Sequence, residues 1–128
     1  MKLIALFILT IFSQAAWAQR VSHCTIFNEE KKNFTVYLNG EKKNQTPQNN
    51  VRIINLTQPW YNLKIEFEDR AIQTIERKKL LLTDANGKPV DAVHKLKQTK
   101  NGSYILRWLS QSENPVYIQE AMPVDSIK

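Results

Sequence analysis

Every glycine in this chain follows an asparagine: Asn39-Gly40, Asn86-Gly87 and Asn101-Gly102 are the only three places where glycine occurs. Each pair sits between stretches in which apolar and polar residues alternate. Asn-Gly is the strongest short signal for a β-hairpin, because both residues tolerate a positive φ. Helical periodicity is nearly absent beside it, and period-2 alternation dominates.

The clearest strand is Tyr61 to Phe67. Tyr61, Leu63, Ile65 and Phe67 point one way, and Asn62, Lys64 and Glu66 the other. In a half-buried strand the first set faces a core. Phe34, Val36 and Leu38 make a second such face. Tyr104, Leu106 and Trp108 make a third, backed by Ile105, Arg107 and Leu109, so that strand is apolar on both sides and reads as central or covered, with Trp108 in the core. Cys24 to Phe27, Val51 to Leu56, Leu80 to Leu82 and Val90 to Lys97 fill the gaps, the last with Ala92, His94 and Leu96 on one face. Val116 to Ile118 follows Pro115 and reads as an edge strand, where Pro is tolerated. About eight short strands at this spacing predict an all-β chain: one small antiparallel β-sandwich or open barrel.

The N-terminus has a different character. Met1-Lys2 is a short positive region, Leu3 to Phe12 is an apolar run broken only by Thr10, and Ala16-Trp17-Ala18 is a small-x-small cleavage motif. These are the three regions of a signal peptide in order, and the run is shorter than the ~20 residues a bilayer span needs. The expected organisation is therefore a leader over 1–18, a β domain over 19–121 and a frayed tail over 122–128, with no transmembrane span after cleavage. Cys24 raises the alternative of a lipoprotein, but Val21-Ser22-His23 lacks the small residue that lipidation requires just before the cysteine. With one Cys in the chain, no internal disulfide is possible.

Loss of Lys2 with the leader leaves a net charge of +5, one below that of the whole chain. This favours polyanions weakly. Lys31-Lys32, Lys42-Lys43 and Arg77-Lys78-Lys79 are short runs that read as solvated turns or strand ends. Nucleic acid is not an expected partner for an exported chain with no recognition motif.

Chemistry-bearing constellations are sparse. His23-Cys24 is the one adjacent pair of soft metal ligands, and His94 is the only other histidine. A closed zinc site takes four ligands, so these read as unrelated strand residues. Cys24, His94 and Asp91 are the only nameable nucleophile set, yet Asp91 and His94 fall on opposite faces of a regular strand. No Gly-x-Ser-x-Gly, phosphate loop or His-Glu-x-x-His occurs. No catalytic residue, metal or cofactor is assigned. Asn33, Asn44, Asn55 and Asn101 begin Asn-x-Ser/Thr triplets, which also suit turns and strand ends. Asp125-Ser126-Ile127 resembles an O-glycosylation triplet of some exported bacterial proteins.

Thr25-Ile26-Phe27, Phe34 to Gly40, Asn44 to Gln48, Val51-Arg52, Pro59-Trp60-Tyr61 and Lys64 to Asp69 together resemble an N-terminal β domain of exported Gram-negative bacterial proteins. In those proteins it often precedes a helical domain of unknown function, and here the β domain would stand alone. A looser similarity is to small envelope β domains named for a Pro-Glu-Gly-Ala signature, through the Leu-Asn-Gly … Thr-Pro hairpin; that signature does not occur here. The resemblance implies a periplasmic or secreted setting and brings no catalytic residues. The expected function is a non-catalytic interaction or structural module of the envelope, with an envelope protein as partner. The alternative is a salt-dependent binder of anionic glycan or lipid surfaces. The candidate contact residues are Asn39, Gly40, Thr46 and Pro47 in the hairpin region, and Trp60 in the turn after Pro59.

Overall fold

A computed structural model describes residues 21–113. The expected leader over 1–18, the strand expected at Val116 to Ile118, the tail and the Asp125 triplet lie outside the described residues. The described chain is all β, in eight strands: β1 (Ser22–Asn28), β2 (Phe34–Leu38), β3 (Glu41–Lys42), β4 (Asn50–Leu56), β5 (Trp60–Phe67), β6 (Ile75–Leu81), β7 (Val90–Gln98) and β8 (Tyr104–Glu113). They form two four-stranded sheets, β4-β1-β7-β8 and β3-β2-β5-β6, packed as a sandwich rather than a closed barrel. One pair departs from the antiparallel expectation. β1 runs parallel to β7, with Cys24 opposite Ala92 and Ile26 opposite His94. The chain changes sheet after β1, β3, β4 and β6, which lets the first and seventh strands meet in the same direction.

The alternating faces close on one another. Phe34, Val36 and Leu38 from β2 and Tyr61, Leu63, Ile65 and Phe67 from β5 are buried against Cys24, Ile26, Ala92 and Leu96 of the other sheet. Phe67 and Tyr104, one from each sheet, stand with ring centroids 5.1 Å apart.

Only the first Asn-Gly pair is a two-residue hairpin with both residues at positive φ: Asn39 at 51° and Gly40 at 84° join β2 to β3. At the other two pairs the glycine alone takes positive φ. There the N–H of Gly87 donates to the Asp84 carbonyl and that of Gly102 to the Thr99 carbonyl, a three-residue loop ending in a left-handed glycine.

Two expectations need correction. β8 lies at a sheet edge, not at the centre. Tyr104 and Leu106 do face the core, but Trp108 is 59% exposed, and Ile105 and Leu109 are exposed beside it. Trp108 keeps the inward parity, opposite the buried His94, but the other sheet does not cover it. A bulge between Val93 and His94 then sets Leu109 outside the ladder and shifts the inside-outside alternation by one residue from Ser110 onward. Arg77-Lys78-Lys79, in turn, is the middle of β6 and not a strand end. As the edge of its sheet, β6 gains from those charges, which discourage edge-to-edge pairing. Arg77 reaches the other sheet and donates to the Leu106 carbonyl at 3.1 Å.

Candidate functional site

The histidines and the cysteine are brought near one another and then divided by the sheet. β1 and β7 are neighbours, so the adjacency a His-Cys-His site needs is met. Cys24 and His94 point into the core, while His23 lies opposite Asp91 on the outer face, where its Nδ1 accepts the Asn55 N–H at 3.1 Å. No group of three or more His, Cys, Asp or Glu placed to hold a metal occurs among the described residues. Burial pushes the Cys24 thiol up to about 12. It stays protonated at neutral pH and is a poor nucleophile. His94 is buried with no hydrogen-bond partner for Nδ1; burial, helped by the nearby Arg77 charge, pulls it down to about 4. Asp91 is held on the outer face by Arg52, with Nη1 and Nη2 at 3.1 and 2.9 Å from its two carboxylate oxygens. A Cys-His-Asp relay has no geometry here.

The sequence-derived contact residues separate into two groups. Asn39 and Gly40 lie next to the strand that carries Trp60. The Asn39 side chain accepts the Asn62 N–H at 2.8 Å and donates to Gln58 at 3.3 Å, so both flanks of Trp60 are tied to the hairpin. Thr46 and Pro47 lie elsewhere. The segment after β3 runs back along β2, bonding Val36 through the Lys43 N–H and Phe34 through Gln48. This carries it toward the Phe34 end of β2, about five residues and ~17 Å from Asn39. Thr46 and Pro47 are exposed there, and the Thr46 carbonyl accepts a hydrogen bond from Asn44.

Around Asn39 and Trp60 the outer face of the second sheet is built row by row. Lys42, Tyr37, Lys64 and Glu76 lie in register across β3, β2, β5 and β6. Beyond them Asn62 faces a bulge in β6, where Lys79 takes φ 58° and its N–H donates to the Asn62 side chain at 3.1 Å. At the end Trp60 pairs with Leu81, and the two are 38% and 59% exposed. Cations lie over both rings: Lys79 Nζ is 5.5 Å from the Trp60 ring centre, and Lys64 Nζ is 4.6 Å from that of Tyr37. Glu66 is already engaged, accepting the Tyr37 hydroxyl at 3.2 Å with Lys64 at 3.9 Å. A shallow depression of about 230 Å³ opens between Tyr37, Gly40, Asn62, Lys64, Glu76 and Lys78.

Lys42, Lys64, Lys78, Lys79, Tyr37 and Leu81 were not among the contact residues assigned from the sequence, where the lysine runs read as solvated turns or strand ends. The signal available was Lys78-Lys79 itself. Placing those residues on a face required knowing that they lie inside a bulged strand. No family model matches the chain, and neither does any curated protein or solved structure. Among the described residues no helix is long and apolar enough to cross a membrane.

Proposed function

We propose that this chain is an exported, non-catalytic interaction module of the cell envelope, and that its contact face is the outer face of the second sheet around Trp60. The leader-like N-terminus and the resemblance to exported β domains support the setting. One observation carries the contact face: an exposed Trp60-Leu81 pair on a sheet surface, with the Asn39-Gly40 hairpin tied to both sides of it. Exposed Trp on a rigid surface is a typical anchor in protein recognition. The strand and the hairpin bonds hold it with little freedom left to lose on binding. Thr46 and Pro47 are left out of this face.

The test is Trp60→Ala in affinity recovery of partners from envelope extracts. Trp60 contributes little to the core, so the variant is expected to unfold at the same urea concentration as the parent chain. Recovery of a specific partner should fall about tenfold or more, the usual cost of an anchor. Unchanged recovery with an intact fold removes this face from the proposal.

A further inference from the structure

We infer that the same face takes an acidic polysaccharide, with its carboxylates on Lys78, Lys79 and Lys42 and its sugar rings against Trp60 and the shallow depression beside it. This rests on the reading of that surface as the contact face and adds the class of ligand.

Charge alone does not choose the face. The outer surface of the second sheet carries Lys42, Lys64, Lys78 and Lys79 against Glu66 and Glu76. The outer surface of the first carries Arg52, Lys95, Lys97 and Arg107 against Asp91 and Glu29. The two balances are equal. They differ in what accompanies the charge. On the first sheet Arg52 is locked to Asp91 and Lys95 to Glu29 at 2.8 Å. Lys97 and Arg107 have no ion pair among the described residues and Asn50 supplies an amide opposite Phe27, but the aromatic on that face is the half-buried Phe27 and not an exposed indole. On the second sheet Lys42 and Lys78 have no ion pair among the described residues, and Lys79 rests on a ring and not on a carboxylate. Asn39, Asn62 and Gln58 supply amides beside an exposed indole. Sugar recognition needs that combination: an aromatic face for the apolar side of a pyranose ring, amides for its hydroxyls and free cations for its acid groups.

The dimensions agree. Lys42 and the β6 lysines are separated by three inter-strand gaps, ~14 Å across the sheet, with Tyr37 and Lys64 between them. An extended chain of a few sugar rings lies along such a row. A lipid surface fits less well. Trp60 has an ammonium over its ring, and inserting the indole into an acyl layer would strip or bury that charge, which is costly.

The experiment measures binding of the full chain, purified from cells that export it, to polygalacturonate, to neutral dextran and to phosphatidylglycerol vesicles over a salt series. Charge-matched variants are compared: Lys78→Gln with Lys79→Gln, and Lys97→Gln with Arg107→Gln. Expected is binding to polygalacturonate that weakens with salt and no binding to dextran. The Lys78/Lys79 variant should lose about tenfold, two exposed ion pairs' worth, and the Lys97/Arg107 variant less than twofold. Equal losses in the two variants, no binding to polygalacturonate, or stronger retention by the vesicles each overturn the inference. Failure here with Trp60→Ala still losing its partner removes the polysaccharide alone. Failure of both removes the face.

Discussion

His94 carries a consequence that its neighbours make definite. The free imidazole titrates near 6.5, and in the folded chain burial and the Arg77 charge hold it at about 4. The folded state therefore binds fewer protons than the unfolded state between those two values. Stability contributed by the neutral ring is complete above pH 6.5 and is lost as the pH falls from 6.5 toward 4. A tenfold difference in proton affinity between the two states is worth ~1.4 kcal/mol, so the loss amounts to a few kcal/mol at most. Urea unfolding between pH 7 and 4.5 should show it, and His94→Gln should flatten that stretch of the profile. A slope unchanged by the substitution assigns the acid sensitivity elsewhere. The inward position of His94 was readable from the sequence, since Ala92, His94 and Leu96 alternate with Asp91, Val93 and Lys95. That Arg77 would sit near it was not, because the two lie on different sheets and no local pattern links them.

At the scale of single elements, Asn44 does the work of a missing strand. The chain leaves β3 after two residues, yet β2 still needs partners along that edge. Asn44 Oδ1 accepts the Val36 N–H at 2.8 Å, and its Nδ2 donates to the Phe34 carbonyl at 3.0 Å and the Thr46 carbonyl at 2.8 Å. A buried amide here imitates the backbone. Asn44→Ala should cost about 2–3 kcal/mol in urea unfolding, since it strands buried backbone groups as well as losing bonds. A cost below about 0.5 kcal/mol would mean that the loop repairs itself. The same bonds account for the asparagine of the Asn-x-Thr triplet at this position, whose side chain is committed inside the fold; Thr46 contributes only its carbonyl.

β8 marks the limit of what alternation can say. A strand apolar on both faces suggests a central place; β8 is an edge strand instead, in which only Tyr104 and Leu106 are buried in the core. Trp108, opposite the buried His94, keeps that inward parity but is left uncovered by the opposing sheet, and from Ser110 onward the bulge changes the parity. Bulges leave no mark that period-2 reasoning can read. The one at Lys79 hid the proposed contact face in the same way. The strands β2, β5 and β7 were legible because each keeps strict alternation against a buried face.

For the molecule as a whole, Cys24 reports on whether the two sheets separate. Its sulfur is fully buried between them and is held protonated, leaving no approach for a second thiol or an acylating group in the folded state. Alkylation by iodoacetamide at pH 8 should be negligible in the native protein and should rise with urea along the same curve as loss of β-sheet signal. Labelling that precedes the loss of sheet would show β1 leaving the sandwich by itself, a sub-global opening.

The parallel placement of β1 beside β7 also sets how the fold bears a load. His23 lies opposite Asp91, and Glu113 lies opposite Val90, so the described chain enters and leaves at one end of the same sheet. Tension applied between Val21 and Glu113 pulls across the strands, along the direction of the hydrogen bonds, rather than along the strands. The bonds at that end break in succession, as a zip opens, instead of sharing the force. Attached at both ends, this domain is a weak mechanical link, and its resistance to being pulled open is far smaller than its packed core suggests.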